Sequence, residues 1–209
     1  EMSISFSVRP TEGRDEAYVA RWLNRQTRLH IRFNIAELGD WFAAHHGFVA
    51  MYGSELVGLV LYAMTSSTQA SVIGLVVGDR WRTYEPEVLT ALFEETVPLL
   101  HRRGTSTVAC VAVSEWVRAA LRRYARFEVV GALANYLKSD WLIPEQGNLT
   151  VQVAAATPDD ARGLLNVDQL AFPPLWHWDE YAIFSPLRRN GHVLKAEWRG
   201  VIVGYVSGV

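Results

Sequence analysis

The stretch VGDRWRTYEPEVLTALF, residues 77–93, joins the end of an apolar run to the start of a helical pattern and carries Arg80 and Arg82 between them. A strand end that turns into a helix N-terminus is a good place to hold an anion, because the first backbone N–H groups are unpaired and the helix dipole is positive there. The arginines suit a phosphate. Glu85, Pro86 and Glu87 do not. A phosphate cradle wants bare glycine backbone, and at an effective dielectric near 20 a carboxylate about 5 Å from a phosphate charge costs on the order of 3 kcal/mol. Pro86 at the first helical position, with two acids complementing the dipole, reads instead as a helix start that caps itself.

A second chemistry-bearing stretch is AFPPLWHWDEYAIFSP, residues 171–186. Phe172, Trp176, Trp178, Tyr181 and Phe184 could line a pocket for an apolar amine, with Asp179 or Glu180 meeting the ammonium. The competing expectation is that these aromatics pack against their own sheet. His45 and His46 are adjacent rather than spaced along one helix face, so no metal site is expected. His177 reads as a packing residue with a satisfied ring, and Cys110, in TVACVAV, as an inert core thiol. Ser114-Glu115 is a helix N-cap signature, and LRRYARF, residues 121–127, a basic, solvated helix face.

Half of the 209 residues are hydrophobic and a fifth charged, enough for one large domain or two small ones. A net charge of -2 supplies no broad attraction to nucleic acid or to an anionic membrane. The single cysteine rules out an internal disulfide, and a cytoplasmic setting is expected. The longest apolar run, LVGLVLYAM, falls short of the roughly 20 residues that span a bilayer.

These residues must be positioned by the surrounding elements. ISFSVRP alternates like a strand, residues 12–28 place Ala17, Val19, Ala20 and Leu23 at helical spacing, and a second helix is expected around IAELGDWFAAHH. Strands on either side of Gly53-Ser54 and a third after Thr68 make an antiparallel meander. Residues 86–104 form the central helix, with Val88, Leu89, Leu92, Phe93, Val97 and Leu100 on one face. A strand at STVACVAV, a helix at EWVRAALRRYARF and a strand over 128–141 follow, with a boundary near residue 146. The pattern then starts again. Val153 repeats Val8, Asp159-Asp160-Ala161 repeats Asp15-Glu16-Ala17, and Gly204 repeats Gly58, at a nearly constant offset that points to a duplicated unit.

This order of elements, with a strand-turn-helix at its centre, resembles the GNAT superfamily of acyl-CoA-dependent N-acetyltransferases. More specifically it is similar to the tandem arrangement of mycothiol synthase-like proteins. The resemblance implies an α/β fold: a mixed, largely antiparallel sheet flanked by helices over residues 1–146, then the N-terminal part of a second such unit over 147–209. It implies acetyl-CoA as co-substrate, with Val76 and Val77 pairing the pantetheine arm and Arg82 and Thr83 meeting the pyrophosphate. Of the family's R-x-x-G-x-G/A turn only Arg82 is kept, and Glu85 and Glu87 replace both glycines. Arg122 falls where the family places its catalytic tyrosine, and Arg126 where it has glycine, so no catalytic residue is assigned. The function implied is acetyl transfer to a small-molecule or peptide amine, with a mainly structural first domain and with Trp176, Trp178 and Tyr181 as acceptor-binding residues. The alternative is a noncatalytic interaction or dimerisation module, pairing as a homodimer through the open sheet edge near residues 204–209.

Overall fold

Apolar residues alternating on either side of Gly53 build the centre of the sheet. Two strands, β3 (Gly47–Tyr52) and β4 (Glu55–Met64), pair antiparallel, and Gly53 turns the chain between them at φ +59, a conformation that favours glycine. The computed structural model describes residues 4–43, 46–65, 67–132, 147–173, 176–177 and 192–208. The chain divides into two units, Glu1–Val130 and Gly131–Val209, and the boundary expected near residue 146 lies outside the described residues.

In the first unit the strand order is β1-β3-β4-β5-β2, where β1 is Ser7–Pro10, β2 is Leu29–Ile31 and β5 is Gln69–Val77. These pairs are all antiparallel, and β6 (Thr107–Ala109) adds to β5 in parallel. The meander follows the sequence expectation. The short strand β2 does not: three residues between Arg28 and Arg32 carry too little alternation to stand out, and only the free edge of β5 makes them a strand.

Helices cover both faces. On one, α1 (Glu16–Leu23) and α2 (Leu38–Ala43) bury Val19, Leu23, Leu38 and Phe42 against Leu56, Leu59 and Leu61 of β4. On the other, α3 (Glu85–Arg102) and α4 (Glu115–Ala125) bury Val88, Leu89, Leu92 and Val117 against Ala50, Val57 and Val60. Each fully buried aliphatic side chain in this layer contributes about 1.5–3 kcal/mol relative to exposure. Val97, expected on the same face of α3, is exposed instead, because the helix turns that position away from the sheet. The layer also encloses a polar pair, the Tyr62 hydroxyl and Thr96 Oγ1 at 2.8 Å. The strand expected over 128–141 is absent from residues 128–132, and its remainder lies outside the described residues.

The second unit holds β7 (Gln152–Ala155), α5 (Ala161–Ala171), β8 (His192–Trp198) and β9 (Val201–Gly208), its strands in the antiparallel order β7-β8-β9. Its small core is Ala161, Leu164 and Val193. Polar ties supplement it: Lys195 Nζ donates to Asp160 at 2.7 Å, and the Tyr205 hydroxyl donates to the buried Asp168 at 2.7 Å.

Candidate functional site at the end of β5

The residues expected to meet a cofactor surround one place, the end of β5 and the 3-10 turn Asp79–Tyr84 that leads into α3. Val76 and Val77 are buried. One neighbour of Val76 is Leu59 of β4. On its other side stands Leu29 of β2, in a register that continues through His30↔Leu75 and Ile31↔Gly74. Arg32 extends the ladder, its N–H donating to the Ile73 carbonyl at 2.8 Å. The free edge of β5 is thus divided: β6 pairs with Gln69–Ser71 and β2 with Gly74–Val76.

The segment leading into β2 is tied to the turn. The Asp79 N–H donates to Gln26 Oε1 at 2.8 Å, and the Thr27 N–H donates to Asp79 Oδ2 at 2.9 Å. Arg82 donates to Asp79 Oδ1 at 2.7 Å and also to the Thr27 hydroxyl. Desolvation pushes the Asp79 carboxyl up, but the hydrogen bonds from Thr27 and Arg82 outweigh it and hold it below the ordinary carboxylate range. Arg28 forms an ion pair with Glu85 at the start of α3 and stacks over Trp116, 4.5 Å from the ring centroid. Glu85 and Glu87 lie in the first helical turn, and Pro86 is the second residue of the helix rather than the first. Glu85 therefore complements both the dipole and a cation from the chain itself. Thr83 is exposed.

His30 is buried, with its Nε2 3.4 Å from the Cys110 Sγ. Burial lowers the His30 pKa and pushes the Cys110 thiol up to about 11, so this pair is a neutral contact rather than an activated nucleophile. Cys110 lies one residue past β6, half-buried rather than within a strand. Arg122 is exposed on α4, and Tyr124 packs against the α3–α4 core. Arg126 ends α4 in the left-handed conformation, φ 57. Ser114 takes the N-cap position of α4, but its side chain makes no capping hydrogen bond. A cavity of about 310 Å³ on the α1 side of the turn is lined by Trp22 and Trp81 with Arg21, Arg25 and Arg80.

Of the aromatic stretch, Trp176 is half-buried and its N–H donates to the Pro173 carbonyl at 2.8 Å. His177 Nε2 donates to the Phe172 carbonyl at 2.8 Å, which satisfies the ring as expected. Trp178, Asp179, Glu180, Tyr181 and Phe184 lie outside the described residues, as does His45. Among the described residues no group of three His, Cys, Asp or Glu could hold a metal ion, and no helix is long and apolar enough to cross a membrane. What sequence reasoning missed is the segment Gln26–Ile31; its one signal is the pair of arginines, Arg28 and Arg32, bracketing a short apolar alternation.

The sequence matches no protein-family model and no curated protein. Solved structures do match. A GCN5-related N-acetyltransferase from Kribbella flavida superposes with a TM-score of 0.62 at 13% identity, over 98% of this chain and 58% of that one. The chain therefore spans 58% of the length of that protein. Also similar are a ribosomal-protein-alanine N-acetyltransferase from Brucella melitensis biovar Abortus (TM-score 0.49, 14% identity, 65% of this chain and 99% of that one) and Rv2747 from Mycobacterium tuberculosis, solved with CoA (0.46, 12%, 54% and 68%). The mixed, largely antiparallel sheet flanked by helices is the GNAT fold, shared with the Kribbella flavida N-acetyltransferase.

Proposed function

We propose that the chain is part of an acyl-CoA-dependent N-acetyltransferase of the tandem, mycothiol synthase-like type, in which the first unit is mainly structural. The reaction would move an acetyl group from acetyl-CoA to a small-molecule or peptide amine. The amine nitrogen attacks the thioester carbonyl, the C–S bond breaks as the amide forms, and the thiolate leaves with a proton. The second unit is the one assigned to this chemistry, in a cytoplasmic setting.

The observation that carries the structural role of the first unit is the pairing of β2 with β5 at Leu29↔Val76, with Arg28 on Glu85. A pantetheine arm would need the backbone edge that β2 uses, and a pyrophosphate would need the helix terminus that Glu85 and Arg28 neutralise. The tandem reading is supported by matching registers. Val8↔Ala50 and Ala50↔Gly58 in the first unit correspond to Val153↔Ala196 and Ala196↔Gly204 in the second. Each sheet also shifts register directly after that alanine, at Ala50/Met51 and at Ala196/Glu197. The same capping box recurs, Glu12 with Asp15 and Thr157 with Asp160.

The test is a calorimetric titration of the 209-residue chain with acetyl-CoA, repeated on Arg82→Ala. No saturable binding tighter than millimolar is expected. Micromolar binding abolished by Arg82→Ala would overturn the structural role of the first unit. Micromolar binding that survives the substitution would assign the cofactor to the second unit.

A further inference from the structure

The cavity of about 310 Å³ between α1 and the turn after β5 reaches Leu56 of β4 and Gly78, on the β4 side of β5, whereas β2 and β6 pair with the opposite edge of that strand. Its aromatic wall is built in advance. A Cβ on Gly78 would stand 3.3 Å from Trp22 Cζ2 and 3.6 Å from Trp81 Cδ1, so two indoles close on one point of backbone that carries no side chain. Trp81 is held in place: its Nε1 donates to Glu55 Oε1 at 3.0 Å, and its ring meets Phe6 and Tyr52 at centroid distances of 5.6 and 5.0 Å. The two carboxylates at the cavity are thus engaged, Glu55 by Trp81 and Asp79 by Thr27 and Arg82. The cations are not. Arg21, Arg25 and Arg80 line the cavity, and among the described residues none of them has an ion pair or a side-chain hydrogen bond. Arg21 lies in the last turn of α1, where the helix dipole favours a cation, but Arg80, in the 3-10 turn, has no such reason to be there. Three guanidinium groups around one cavity repel one another until an anion joins them.

We propose that this cavity binds a small aromatic monophosphate, its ring against the indoles of Trp22 and Trp81 and its phosphate among Arg21, Arg25 and Arg80. The charge follows from the arginines. A guanidinium fork pairs bidentately with two oxygens, so a carboxylate is taken up by one arginine, whereas the three peripheral oxygens and double charge of a phosphate monoester serve more than one at once. The ring follows from the indoles, whose flat apolar faces gain nothing from an inorganic anion and stack well on another ring. The size follows from the volume, which lies at the lower end of the roughly 300–1,000 Å³ of small-molecule pockets and suits one ring system and one phosphate better than a whole coenzyme. Nucleoside monophosphates and simple aryl phosphates share this chemistry. Such a ligand would bridge the end of α1, the start of β4 and the turn after β5, and would give the first unit a binding role apart from acetyl-CoA. The inference does not rest on the tandem reading.

The experiment titrates the 209-residue chain calorimetrically, at one fixed salt concentration, with phenyl phosphate, adenosine 5'-monophosphate, inorganic phosphate and phenol. At least one of the two aromatic phosphates is expected to bind with a Kd tighter than about 1 mM, and about tenfold or more tighter than inorganic phosphate or phenol alone. Preference for the nucleotide would assign the site to nucleoside monophosphates, and equal or tighter binding of phenyl phosphate to simple aryl phosphates. The double variant Arg25→Gln/Arg80→Gln should weaken that binding by about tenfold or more. Both arginines are exposed, so circular dichroism and the melting temperature of the variant should match the parent. Three results would each overturn the proposal: no saturable binding of either aromatic phosphate, inorganic phosphate binding as tightly as both, or binding undiminished in the double variant. Acetyl-CoA binding that is lost in Arg82→Ala but kept in the double variant would end the structural role of the first unit and leave this cavity untouched, so the two readings fail separately.

Discussion

Val76 of β5 stands opposite Leu29 of β2. The backbone edge of the sheet at this point is occupied by the chain itself, and the residues that lead into the occupying strand are fastened, Gln26 and Thr27 to Asp79, and Arg28 to Glu85. Leu29→Pro removes an N–H and imposes a fixed φ on a three-residue strand, so it should cost about 1–3 kcal/mol in urea unfolding. Amide exchange at residues 74–76 should quicken in the same variant. Unchanged exchange there would mean that β2 does not protect the strand.

Gly58 and Gly204 occupy matching registers but meet different surroundings. Gly58→Ala forces a Cβ to 2.6 Å from Val88 and should destabilise by about 1–3 kcal/mol. Among the described residues Gly204→Ala meets nothing closer than 3.8 Å, and it should stay within about 0.5 kcal/mol of the parent. Equal effects in a denaturant series would contradict the difference in packing.

Arg126 holds the left-handed conformation at the end of α4, φ 57 and ψ 32, where glycine is ordinarily preferred. Arg126→Gly relieves the Cβ crowding and should raise stability by about 0.5–1 kcal/mol, seen as a higher urea midpoint. A loss of stability would show that the arginine side chain contributes more than its backbone costs.

His30 is buried, and burial depresses its pKa below the ordinary value of 6.5. A group depressed in the folded state stabilises it fully above the unfolded pKa, and that contribution is lost as pH falls through the folded one. The urea midpoint should therefore decline as pH is lowered from about 6.5, and His30→Gln should flatten that part of the profile. A parallel decline in both proteins would place its origin in another group.

Much of the first unit is legible because its elements announce themselves locally. The hairpin at Gly53, the alternation of β3 to β5 and the apolar face of α3 each depend on near neighbours in sequence. Helical spacing alone could not turn Val97 outward, since that depends on where the sheet lies. The site was legible in part. Glu85 and Glu87 marked an altered turn, but the partner of Glu85 is Arg28, far away in the chain, and no local pattern connects them. The same holds for β2. Its residues are strand only because β5 offers an edge. Trp176 could be placed by composition as an aromatic wall, whereas its observed contact is a backbone turn to Pro173.

The occupation of β5 by β2 also constrains the order in which the unit assembles. Strands β3, β4 and β5 follow one another and can zip together through short loops, whereas β2 precedes all three and has no edge to join until β5 has formed. The segment Gln26–Ile31 should then acquire protection late in pulse-labelled refolding and lose it early in native-state exchange. By closing last and opening first, it would make the end of β5 the kinetically soft point of an otherwise cooperative unit.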